Sequence, residues 1–131
     1  MSKARRYRTM SAIRARDTAP ELTVRGVLRS LRYRSAYHVK DLPGTPDIVL
    51  KHLGKVILVH GCFWHQHANC SLSRKPLRNL AYWEPKFARI KARDRANRLA
   101  LRRDGWSYLV VWECETADRE GLASRIRAFL G

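Results

Sequence analysis

The chain has 131 residues, the size of one domain, and 45% of them are hydrophobic, enough for a core without disulfide staples. No apolar run approaches the ~18 residues of a membrane span, and the basic start MSKARRYRTM lacks the apolar stretch of a signal peptide, so a cytoplasmic, nucleoid-associated protein is expected. Lys and Arg number 27 against 11 acidic residues, a formal charge of +16; nucleic acid is the leading partner, because side chains that neutralise phosphates gain affinity from released counterions.

Residues 1–16 hold six basic residues and no acidic ones. They read as a flexible basic arm that orders on DNA, ahead of a single domain over 17–131. Thr18-Ala-Pro-Glu21 matches a capping box with Pro20 in the first turn. Val24, Val27, Leu28 and Leu31 follow at helical spacing, which predicts a helix over about 18–33. A short strand is expected at 36–39. Leu42-Pro-Gly-Thr-Pro46 is a turn, and the strands 47–50 and 55–60 flank a second turn at His52-Leu-Gly54, an antiparallel hairpin. Residues 61–81 read as irregular.

From Tyr82 to about Arg103 the pattern is helical, with Trp83, Phe87, Ile90 and Leu101 on one face and Arg and Lys over most of the rest. Asp104-Gly105 is a helix stop. Trp106–Trp112 is strongly β-prone and is expected as a central strand parallel to a neighbour. A last helix over about 118–130 presents Leu122, Ile126 and Phe129. The fold class is therefore α/β, a mixed sheet flanked by helices.

Two sets of residues carry chemistry. Cys62, His67 and Cys70 lie within nine residues of an irregular loop, a donor set suited to tetrahedral zinc. Cys114, just after the expected central strand, could supply the fourth ligand, and an odd count of three cysteines argues for metal or free thiols over disulfides. His65 or His60 could replace His67. The second set is Asp47 at a strand start, His60 at the end of the adjacent strand, His65 in the following loop, and Glu21. Phosphodiester cleavage needs a divalent ion to neutralise charge and a group to move a proton. Carboxylates suit Mg²⁺, and a histidine suits proton transfer.

Arg16-Asp-Thr-Ala-Pro-Glu21, Leu42-Pro-Gly-Thr-Pro-Asp47, His60-Gly-Cys-Phe-Trp-His65 and Val111-Trp-Glu-Cys114 resemble, in order and spacing, the very-short-patch-repair (Vsr) mismatch endonucleases. The resemblance spans roughly residues 8–130. It implies a restriction-endonuclease-like (PD-(D/E)XK) core with a structural zinc, and a nick beside the thymine of T:G mismatches, which arise when 5-methylcytosine deaminates. It further implies Asp47 as a direct Mg²⁺ ligand, with the Val59 carbonyl, and His65 as general base or acid. His60 and Glu21 would order water and phosphate. Zinc would sit on Cys62, His67, Cys70 and Cys114. Phe63, Trp64 and Trp83 would stack beside the mismatch, with Met10 wedging from the other groove.

Two departures stand out. Val59 occupies a place where family members often have Thr, and Ala68-Asn69 make the gap before Cys70 one residue longer than in some relatives. The expected partner is mismatched duplex DNA bound by a monomer, with mismatch-repair proteins as further candidates. Two other readings share the fold: a nuclease with a different DNA target, as in a defence system, and a zinc-stabilised DNA-binding domain without catalysis.

Overall fold

The computed structural model describes residues 17–131; the basic arm and Met10 lie outside them. Helix α1 spans Ala19–Ser30. Strands β1 (Ala36–Tyr37), β2 (Ile48–Leu50) and β3 (Lys55–His60) come next, then the long helix α2 (Leu80–Arg103), strand β4 (Ser107–Trp112) and helix α3 (Arg119–Leu130). Short 3₁₀ turns occur at Lys51–Leu53, Ser71–Ser73 and Glu113–Ala117.

The sheet runs in the order β1-β2-β3-β4, antiparallel except for the parallel pair β3/β4, where His60 lies opposite Trp112. The hairpin is as expected, with Ile48 opposite Ile57. β4 is parallel to its neighbour but ends the sheet order instead of lying centrally. Its apolar run has another cause: helices cover both its faces, and burial of faces, not the number of neighbouring strands, is what demands apolar side chains.

Alternation along β3 sends its side chains to two cores. Ile57 and Val59 join Val24, Val27 and Leu28 of α1 and Leu122, Ile126 and Leu130 of α3. Val56 and Leu58 face the other way and pack with Leu101 of α2. The result is a three-layer arrangement, helices on both faces of a mixed sheet. Each fully buried Val or Leu contributes roughly 1.5–3 kcal/mol of transfer free energy. In α3 Leu130 is 5% exposed and completes the buried stripe, with Phe129 only packed against its edge.

Thr18 caps α1, its Oγ1 accepting from the Glu21 N–H at 3.4 Å. Glu21 does not close a capping box. Its carboxylate turns back to the Asp17 N–H (3.1 Å) and into the protein, where it is 3% exposed. α2 begins at Leu80, two residues earlier than the spacing suggested. Asn79 precedes it with φ 60° and no side-chain cap, so no local signature marks the start. No helix among the described residues is long and apolar enough to cross a membrane.

Candidate active site and metal centre

The sheet's strand ends, the Leu42–Pro46 turn and α2 enclose a cleft of about 560 Å³. Glu21, Asp47, Val59, His60 and His65 all line it, drawn from α1, the start of β2, the end of β3 and the loop beyond. The four residues expected to act on a phosphodiester therefore share one cavity.

Asp47 sits where β2 leaves the turn, and its Oδ2 accepts the Val59 N–H at 2.7 Å. That bond bridges the two strands and fixes the carboxylate beside the Val59 backbone. Val59's own side chain points into the α1/α3 core, so its position in the cleft is served by the main chain. Burial pushes the Asp47 carboxyl up to about 7; the Val59 N–H opposes this and the nearby Glu21 adds to it. A buried carboxylate with a second acid nearby is an anionic pocket suited to a hard cation.

His60 and His65 stack face to face, ring centroids 3.9 Å apart and planes within 3°. Two cations could not stack so closely. Burial, reinforced by His65, lowers His60 to about 3 and so favours its neutral form, and its Nδ1 is buried without a hydrogen-bond partner among the described residues. His65 Nδ1 meets Asp94 Oδ2 at 2.6 Å. A carboxylate on Nδ1 orients the ring and leaves Nε2 as the nitrogen for proton transfer.

Asp94 was not expected from the sequence, although a signal was present. Trp83, Phe87, Ile90, Asp94, Asn97 and Leu101 recur at alternating spacings of about four and three, which puts an acid on the buried stripe of an otherwise basic helix. Around Glu21 there is a second unanticipated group. Arg25, 9% exposed, reaches Asp17 at 2.7 Å and Glu21 at 3.4 Å, and His38 Nε2 stands 3.2 Å from the Glu21 carboxylate. Asp17, Glu21 and His38 have the proximity of metal ligands, yet the Arg25 guanidinium already supplies the positive charge between them.

Beyond His65, the Sγ atoms of Cys62, Cys70 and Cys114 and a nitrogen of His67 all lie within 4.8 Å of one another. His67 Nδ1 is 3.6 Å from Cys62 Sγ and 3.5 Å from Cys114 Sγ. Tetrahedral zinc with bonds of ~2.3 Å to sulfur and ~2.1 Å to nitrogen implies edges of about 3.6 Å, so the donor set fits that ion. Between His67 and Cys70 the chain turns with a positive φ of 54° at Asn69. The histidine of the cluster is His67, since His60 and His65 face the cleft. Its ring stacks on Trp112 at 4.1 Å.

Phe63 and Trp64 form one wall of the cleft. Trp83, also expected to stack beside the mismatch, lies beneath this wall. Trp83 is 1% exposed and packs against Phe87 (5.5 Å) and Phe63 (5.3 Å) as the floor of an aromatic cluster. Trp64, 6% exposed, belongs to the same cluster.

Comparison with known proteins gives this architecture its place. Residues 1–72 match the family of the DNA mismatch endonuclease Vsr. The type II nicking enzyme V.XorIIP of Xanthomonas oryzae pv. oryzae is 45% identical over 130 residues, 99% of this chain and 95% of its own. The DNA mismatch endonuclease Vsr of Escherichia coli is 40% identical over 92% of this chain and 76% of its own, and the type II nicking enzyme V.NmeAIP of Neisseria meningitidis is 34% identical over 88% and 82%. The chain belongs to the Vsr family. Within a Vsr endonuclease, the cleft of Asp47, His60, His65 and Asp94 is the candidate catalytic centre and the thiol cluster a separate candidate metal centre next to it.

Proposed function

We propose that this Vsr-family DNA endonuclease nicks one strand of duplex DNA 5′ to the thymine of a T:G mismatch, in a Mg²⁺-dependent reaction that begins repair of deaminated 5-methylcytosine. The observation that carries the reading is the gathering of Glu21, Asp47, His60, His65 and Asp94 around one cleft, a set that a binding module has no need of. The names of the E. coli relative, a mismatch endonuclease, and of the two nicking enzymes support it.

Asp47 and the Val59 carbonyl would hold Mg²⁺, which supplies charge neutralisation at the phosphate. His65, oriented by Asp94, moves the proton through Nε2. His60, neutral and stacked on His65, keeps that ring in plane and lines the cleft where water and phosphate would be ordered. Glu21, held by Arg25 and His38, orders water on the opposite side. Zinc on Cys62, His67, Cys70 and Cys114 would pin the loop that carries His65. The core is of the restriction-endonuclease-like (PD-(D/E)XK) type, one domain acting as a monomer. Phe63 and Trp64 reach the base stack when the aromatic cluster opens. Unstacking costs a few kcal/mol and less at a mismatch.

Duplexes differing only in one pair, T:G against T:A, test the proposal with and without added Mg²⁺. The expected result is a Mg²⁺-dependent nick in the T strand of the mismatch alone. Equal cutting of both duplexes would overturn the mismatch specificity, and binding without cutting would overturn the catalysis.

A further inference from the structure

We propose that residues 74–80, between the Ser71–Ser73 turn and the first turn of α2, form a preset DNA-gripping tip at the rim of the cleft. In it Leu77 packs into the duplex groove, and Arg74, Lys75 and Arg78 neutralise backbone phosphates beside the nicked bond. The inference rests on the DNA reading above and adds a contact surface to it.

Leu77 is 93% exposed, more than any other large apolar side chain among the described residues. Leu72, Leu80 and Tyr82, each about half exposed, fall in the same short stretch. Scattered exposed leucines need no explanation, but a local concentration marks a binding surface. Arg74, Lys75 and Arg78 are interleaved with these side chains and exposed. An apolar partner surface would not call for three cations; a groove flanked by phosphates calls for both. The nearest acid, Glu84, pairs with Lys75 at 3.2 Å with both side chains about half exposed. Such a surface pair is weak and exchanges readily for a phosphate.

The anchors of the tip set its position. At its start, Gln66 Nε2 donates to the carbonyls of Phe63 (2.6 Å) and Ser73 (3.0 Å), and Ser73 Oγ donates to the His67 carbonyl (2.6 Å). At its end, the Tyr82 ring stands edge-on to Trp83 at 5.0 Å, and Trp83 abuts Phe63. Both ends are thus tied to the aromatic wall of the cleft. A duplex seated against Phe63 and Trp64 would meet the intervening tip with little ordering left to do.

Binding of the full zinc-loaded chain to a T:G duplex, measured by fluorescence anisotropy with Ca²⁺ in place of Mg²⁺ over a range of salt, tests the tip. In the R74Q/K75Q/R78Q variant the slope of log affinity against log salt should become shallower by up to ~2.7, at ~0.9 per phosphate contact. Leu77→Ala should weaken binding about three- to tenfold and Leu77→Asp further, with melting temperatures like wild type because these side chains are exposed. Wild-type slope and affinity in all three variants would overturn the tip and leave the patch to a protein partner. A wild-type chain that neither binds nor nicks any duplex would instead overturn the DNA reading itself.

Discussion

At Asp47 the fold favours the protonated carboxyl, since burial lifts it from 3.8 to about 7. A raised acid contributes stability that is fully present below its ordinary value and lost as the pH climbs through the folded one. Asp47→Asn keeps an oxygen in place of the carboxylate but cannot ionise. The metal-free variant should therefore gain on wild type by roughly 2–3 kcal/mol between about pH 5 and 8, read by denaturant unfolding at both. A pH-independent difference would remove burial as the cause. The same protonation competes with a cation, so the Mg²⁺ needed for half-maximal nicking should rise as the pH falls below about 7, and Asp47→Asn should abolish nicking. Asp94→Asn removes the carboxylate that orients the His65 ring; nicking should drop about 10²–10⁴-fold with DNA affinity nearly unchanged. Equal losses in both quantities would make Asp94 structural. Asp47, His60, His65 and Glu21 were legible because each sits in a short recognisable motif. Asp94, Arg25 and His38 were not, because their roles are made by contacts across 29, 4 and 17 residues from the groups they serve, and a lone polar residue on a basic helix looks solvated.

Helices and strands were legible where period and turn chemistry agreed. The β2/β3 hairpin and the Trp83, Phe87, Ile90, Leu101 face of α2 came through because alternation and helical spacing report burial directly. The sheet order did not, since β4's apolar run records two covered faces and carries no information about its neighbours. At this scale the thiol cluster joins the His60–Cys70 loop to the turn after β4. Cys114→Ser should lower zinc content and melting temperature together, because structural zinc contributes folding free energy; unchanged values for both would sink the four-ligand site. The aromatic floor makes a separate claim. Trp83→Ala should cost about 3–5 kcal/mol of stability, as for other buried aromatics. Phe63→Ala, on the partly open wall, should cost less and act mainly on mismatch binding. Equal stability losses would refute this division between floor and wall.

Across the whole molecule, the three layers meet at one end of the sheet, and each contributes to the cleft: α1 gives Glu21, the strands give Asp47 and His60, and α2 gives Asp94. A site gathered this way depends on the core for its dimensions, so its geometry could not be read from any one segment. In the loop from His60 to Cys70 the residues alternate between the two centres. His60 goes to the cleft, Cys62 to the thiol cluster, His65 to the cleft and His67 back to the cluster, with only one or two residues between successive members. For anyone re-engineering the enzyme toward a new lesion, that interleaving marks the loop as a part to leave alone. A residue inserted between Cys62 and His65 would displace a member of each centre at once, so changes of target are better sought in the exposed Arg74–Leu80 tip, whose side chains belong to neither.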